Sequence, residues 1–198
     1  MKKLSLLLLL GFFVFTSCET KKDSDKTSKN EISIDTATVR THLYTLASDE
    51  MQGRRTGTPG IEKAAQYIEG EFKRIGLSTY ADLTDYRQTF KFKPRRSKDS
   101  ISASNIIGVL EGKSKKNEYV VVSAHYDHLG IRKTENEKDS IFNGANDDAS
   151  GVTGVLALAE YFKKKGTNER TIVFIAFTAE EMGLVGSRHF GKGIDASK

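Results

Sequence analysis

The sequence predicts an α/β fold, a three-layer sandwich around a mixed, mainly parallel central sheet, and three observations carry that reading. Residues 119–124 and 171–177 are continuous runs of apolar β-formers, the pattern of strands buried on both faces. Between them, residues 150–165 repeat apolar side chains at helical spacing, with Val152, Val155, Leu156 and Ala159 on one side. A further helix is expected over residues 180–190, and strand, helix, strand, helix is the order that parallel crossovers produce.

The earlier elements follow in chain order. Val39, Leu43 and Leu46 fall at helical spacing after Asp35 and Thr36, a capped start. Residues 48–60 read as a loop from their glycines and proline. Thr58 then serves as an N-cap, with Pro59 at the first helical position. Ile61, Ala64, Ala65, Ile68 and Phe72 form one apolar face, and Gly76 stops the helix. Strand-like stretches at 88–92 and 105–110 come next and are expected to pair antiparallel at an edge. No internal repeat is present.

Composition narrows the class. The 198 residues are 37% apolar and 29% charged, ordinary for one globular domain with a sizeable core. The formal charge is +5, and +3 once Lys2 and Lys3 are set aside; the basic residues are scattered, which argues against a nucleic-acid partner. Lys163, Lys164 and Lys165 end a predicted helix, where cations suit the helix dipole. Cys18 is the only cysteine, so there is no intrachain disulfide and no cysteine-rich structural zinc site.

Residues 1–17 read as a lipoprotein signal peptide. Met1-Lys2-Lys3 is a basic start, and residues 4–14 are apolar but too short to span a membrane comfortably. Phe15-Thr16-Ser17-Cys18 then resembles a bacterial lipobox, which makes Cys18 the lipidated residue. Residues 18–34 form a polar tether, and residues 35–198 form the folded part. The expected location is outside the cytoplasm, held at a bacterial membrane through a lipid on Cys18.

The chemistry-bearing residues cluster at element ends. His125-Tyr126-Asp127-His128 begins where the first long apolar strand stops. Asn146-Asp147-Asp148 directly precedes the next helix, and Thr178-Ala179-Glu180-Glu181 begins where the second long strand stops. In open α/β sheets, ligands bind at the carboxyl ends of strands, so all three segments reach one edge. Imidazole and carboxylate donors without thiolate suit zinc. Each segment alone has a bland explanation, because acidic pairs at helix starts simply offset the dipole. Their joint placement does not. Gly144, Ser150, Gly151 and Gly154 would let backbone approach closely around the Asp pair.

Three motifs carry a family resemblance: His125-Tyr126-Asp127-His128-Leu129-Gly130, Asn143-Gly144-Ala145-Asn146-Asp147-Asp148-Ala149-Ser150-Gly151, and Phe177-Thr178-Ala179-Glu180-Glu181-Met182-Gly183-Leu184-Val185-Gly186-Ser187. In this order they resemble the zinc aminopeptidases of the bacterial leucyl aminopeptidase and aminopeptidase Y type, metallopeptidase family twenty-eight. Residues 48–60 also resemble that family's N-terminal signature, so the likeness runs from about residue 36 to residue 190. The resemblance implies a zinc exopeptidase-like fold and two zinc ions acting on peptide substrates. It implies that His125 binds one zinc, Asp147 bridges both, and Glu181 binds the second. Glu180 would be the general base towards a zinc-activated water, and Asp127 would orient His125. Asp148 would follow Asp147 across a cis peptide.

The family pattern also implies an Asp and a His ligand beyond Lys198, together with a further strand and covering helices. Residues 35–198 are therefore expected to be the N-terminal part of the peptidase domain, and activity is expected of a longer protein. His128 has no role in the family pattern and is expected to be structural, while His42 and His189 are expected on helices, solvated or packed. Two other readings remain open: a glutaminyl cyclase-like acyltransferase using one zinc, and a metal-free binding module.

Overall fold

Asp35 starts the first helix, α1 (Thr36–Leu46), by accepting from the backbone N–H groups of Ala37 at 3.0 Å and Thr38 at 3.1 Å. This computed structural model describes residues 32–95, 97–132 and 139–193. The expected signal peptide, Cys18 and most of the tether lie outside the described residues. Among the described residues, no helix is long and apolar enough to cross a membrane.

A 3-10 segment, Asp49–Arg54, leads to α2 (Pro59–Ile75), which buries the expected face and ends at Gly76 with φ 79°. Thr58 holds the cap position but does not cap. Its hydroxyl instead donates to the Arg55 carbonyl at 2.7 Å, which tightens the turn before the helix. The strands β1 (Arg87–Phe92), β2 (Ile101–Leu110) and β3 (Lys115–His125) follow. A two-residue pair, β4 (Gly130–Ile131) and β5 (Ile141–Phe142), comes before α3 (Ser150–Lys165), β6 (Arg170–Phe177) and α4 (Val185–Lys192).

The main sheet has the order β1-β2-β6-β3. It is mixed, as expected, with β3 parallel to β6 and the pairs β1·β2 and β2·β6 antiparallel. A parallel majority is not present among the described residues. The short link over residues 93–100 permits only a hairpin-like return, whereas α3 supplies the long crossover that parallel pairing requires.

Alternation along β6 builds the layers. Ile172, Phe174 and Ala176 pack with buried side chains of α1, α2 and α3 on one face. Val173 and Ile175 pack with Ile107 and with Phe190 of α4 on the other.

Two further sequence expectations are corrected. The 119–124 run is not buried on both faces: Tyr119 is 62% exposed, Val120 44% and Val121 48%. Among the described residues β3 pairs only with β6 and is an edge strand, so its apolar residues follow β-propensity without being covered. The helix expected over 180–190 begins only at Val185. Ala179, Gly183 and Leu184 have φ of 55°, 104° and 59°, left-handed values that break a helix, and residues 180–183 form a turn closed by Gly183 N–H donating to the Glu180 carbonyl at 2.8 Å.

Candidate metal centre

Parallel register brings the first two segments together. His125 lies opposite Phe177 at the last step of the β3·β6 ladder, and Tyr126 N–H donates to the Phe177 carbonyl at 2.9 Å. The chain after His125 and the chain after Phe177 therefore leave the same sheet edge side by side. The third segment is a tight turn, Ala145–Ala149, at the mouth of α3, with a cis peptide between Asp147 and Asp148, as the resemblance implies. Gly144 enters this turn at φ 57°, and a Cβ there would lie 2.5 Å from both the Asp147 carbonyl oxygen and His128 Cδ2. Glycine is required at that point by backbone conformation and by space alike.

The two aspartates of the turn point in opposite directions. Asp148 faces inward and accepts from His125 N–H at 3.2 Å and Gly151 N–H at 3.0 Å. Asp147 faces outward, its side chain 62% exposed, and its two oxygens meet two imidazoles. Oδ1 lies 3.0 Å from His125 Nε2, and Oδ2 lies 3.8 Å from His128 Nδ1. Glu181 closes the second side, with Oε1 2.8 Å from His128 Nδ1. Glu180 stands on the first side, with Oε2 3.9 Å from His125 Nε2. His125, Asp147, Glu180 and Glu181 thus all come to one lip of the sheet. His128, expected to be structural, stands among them.

Asp127 lies beside His125 and also holds the neighbouring turn. Its carboxylate is fully buried and accepts from the backbone N–H groups of Glu180 at 3.0 Å and Glu181 at 3.2 Å, with the Thr56 hydroxyl at 3.4 Å. The nearer partner of His125 Nδ1 is the Asp127 carbonyl oxygen at 3.1 Å, while the carboxylate Oδ1 is 3.7 Å away. The side chain therefore fixes the turn that carries both glutamates, and the main chain of the same residue orients the imidazole. Burial alone would lower the His125 pKa, but the hydrogen bond and charge of Asp127, with Asp148, outweigh it and raise it to about 9. A cation taking His125 Nε2 must displace that proton.

Sequence reasoning missed Arg54. Its guanidinium is fully buried beneath the centre and donates only to carbonyls: Tyr126 at 2.9 Å, Asn143 at 2.6 Å, Gly144 at 2.9 Å, and Leu46. It ties the chain after β3 to the loop before Asp147. Burial pushes its pKa down, opposed by the charges of Asp127, Asp147 and Asp148. An Arg in a glycine-rich loop looks solvated in sequence, and only the convergence of three segments buries it. His42 and His189 lie elsewhere. His42 is buried against Tyr67, its Nδ1 2.7 Å from the phenol oxygen, and His189 stacks on Phe90 at 4.2 Å.

The donor chemistry fits zinc. Imidazole nitrogen and carboxylate oxygen bind zinc at about 2.0–2.2 Å, which puts neighbouring donors of a tetrahedral site about 3.3 Å apart. The separations of 2.8, 3.0 and 3.8 Å bracket that value. Donor atoms of His128, Asp147 and Glu181 all lie within 4.8 Å of one another.

Comparison with known proteins agrees with this geometry. The profile of peptidase family M28 matches residues 105–198, which hold all three segments. Over these residues the chain is similar to peptidase family M28. Over 90 residues the chain is 38% identical to aminopeptidase YwaD of Bacillus subtilis, covering 45% of the chain and 17% of that protein. A leucine aminopeptidase precursor from Bacteroides thetaiotaomicron has the same fold, with a TM-score of 0.63 and 20% identity over 84% of this chain and 60% of the other. So does a glutaminyl cyclase from Fimbriiglobus ruber, with a TM-score of 0.64 and 24% identity over 81% and 55%. The chain spans less than half the length of the curated relatives it matches.

Proposed function

We propose that the protein containing this chain is a zinc-dependent exopeptidase, an aminopeptidase, that hydrolyses peptide bonds at substrate N-termini. The observation that carries the reading is the central position of Asp147, whose two oxygens face two separate imidazoles while Glu181 and Glu180 flank it. His125, Asp147 and Glu181 would hold the metal, with Asp147 between two ions. Zinc bound there supplies Lewis acidity towards the scissile carbonyl and makes water nucleophilic near neutral pH.

The chain's own residues do the rest. Glu180 is partly exposed, 37% at its side chain, and its hydrogen bonds among the described residues are made by its backbone, so its carboxylate is free to take a proton and pass it to the leaving amine. The buried Asp127 carboxylate holds the backbone of both glutamates and so aims one towards substrate and the other into the cluster. Asp148 holds the His125 backbone. We propose in addition that export and lipidation at Cys18 keep this edge at a membrane surface, acting on peptides outside the cytoplasm.

The test is hydrolysis of an aminoacyl anilide by the full-length protein, before and after dialysis against a chelator and after zinc is restored. Loss and recovery of amine release support the reading. Cyclisation of an N-terminal glutamine without hydrolysis would replace it with acyl transfer, and binding of peptide insensitive to chelator would leave only a binding module.

A further inference from the structure

We propose that His128 is itself a metal ligand, through Nδ1, on the Glu181 side of the centre. The inference rests on the metal reading above and adds a nitrogen donor to the side where, from this chain, only carboxylates were assigned.

Three observations carry it. The first is proximity: Nδ1 is 2.8 Å from Glu181 Oε1 and 3.8 Å from Asp147 Oδ2, so one imidazole nitrogen faces two carboxylates at once. A histidine placed only for packing needs one partner, and a second carboxylate so close raises repulsion that a cation would relieve. The second is that the ring is built in. His128 is 9% exposed, its backbone N–H donates to the Arg54 carbonyl at 3.1 Å, and the missing Cβ of Gly144 leaves room for the ring edge. The third is symmetry about Asp147. His125 Nε2 stands at Oδ1 as His128 Nδ1 stands at Oδ2, so the bridging carboxylate has one imidazole for each of its oxygens. Between His125 and His128 the chain passes through Asp127, whose buried carboxylate anchors the Glu180–Glu181 backbone, which explains how two histidines three residues apart reach opposite sides of one aspartate. Without metal, Nδ1–H donates to Glu181. With metal, the same nitrogen gives its lone pair to the ion, and the ring keeps its proton on Nε2.

The competing description makes His128 a positioning residue that keeps its Nδ1 proton and merely holds the Glu181 carboxylate. The two differ in a direct bond. Full-length protein labelled with 15N-histidine is stripped of metal and titrated with cadmium chloride, using the spin-active 113 isotope and then a spin-inactive one. The signal of His128 is identified by its loss in His128→Gln. The proposal expects His128 Nδ1 to lose its proton and show splitting with 113Cd alone. It also expects His128→Ala to weaken zinc at one site by more than about 100-fold in competition with a chromophoric chelator, beyond the 10–100-fold typical of residues that only support a ligand. His189→Gln, which alters a ring stacked on Phe90, should leave zinc affinity unchanged. A His125 signal split by cadmium while His128 keeps its Nδ1 proton overturns the proposal and leaves the metal reading standing. No change at either histidine overturns both. The spectra of the unsubstituted protein decide even if the alanine variant fails to fold.

Discussion

Replacing Asp127 by Asn changes one oxygen to an amide group and leaves shape almost untouched, so it isolates what the buried carboxylate does. In the native protein Oδ1 accepts from Glu180 N–H at 3.0 Å and Oδ2 from Glu181 N–H at 3.2 Å. Asparagine has one acceptor oxygen for those two donors. Whichever way the amide turns, one backbone N–H faces an NH2 group, and the other loses a charge-assisted bond. Hydrogen bonds to charged groups contribute about 1.5–3 kcal/mol, and an orphaned buried donor costs about 1–3 kcal/mol. A net loss of about 3 kcal/mol is expected. In a domain of about 150–250 residues that lowers Tm by roughly 6–12 °C, and by less in a longer protein. Because the same turn carries Glu181, zinc affinity should fall about 10–100-fold. The assay is urea and thermal unfolding of the metal-free full-length protein, paired with a zinc competition titration. A variant within about 0.5 kcal/mol of the parent, the range of an ordinary surface substitution, and with unchanged zinc affinity would refute the role assigned to Asp127.

Four other outcomes follow from the same geometry. Glu180→Gln should slow anilide hydrolysis by about 10²–10⁴-fold while metal content measured by mass spectrometry stays constant. Arg54→Met removes the shared donor of four backbone carbonyls around the centre, of which, among the described residues, Gly144 alone keeps a second partner in Ala149 N–H, and should cost at least about 3 kcal/mol, read as a fall in the urea midpoint. Gly144→Ala forces a Cβ at φ 57° into the His128 ring and the Asp147 backbone, and should cost about 1–3 kcal/mol together with measurable loss of zinc affinity. Burial holds the His42 pKa below its ordinary 6.5, against the opposing charge of Glu71, and no hydrogen-bond partner is present for its Nε2 among the described residues. The stability this neutral ring contributes is therefore complete above about pH 6.5 and is lost as pH falls through the lowered folded value. Unfolding midpoints between pH 7.5 and 5 should decline in the parent and decline less in His42→Gln.

Much of this was legible in the sequence because local chemistry and tertiary position agreed. Ile61, Ala64, Ala65, Ile68 and Phe72 are spaced for one helical face, and that face is buried. His125, Asp147 and Glu181 sit at element ends, and element ends meet where β3 and β6 run parallel. What stayed hidden depended on three segments meeting at once. Tyr119 and Val120 have the residue types of a buried strand, but cover comes from neighbours, and among the described residues β3 has β6 on one side only. The delayed start of α4 follows from left-handed backbone at Ala179 and Leu184, residues with no intrinsic preference for it. Arg54 and His128 carried no local signal, since their surroundings come from residues far along the chain.

The central claim is that His125, Asp147 and Glu181 hold metal at one lip of the sheet. Anomalous diffraction at the zinc edge, from crystals of the full-length protein grown with zinc, tests it most directly. The account predicts peaks about 2.0–2.2 Å from His125 Nε2, from the Asp147 carboxylate and from the Glu181 carboxylate. Zinc bound at other residues, with these three side chains directed to separate surfaces, would contradict it.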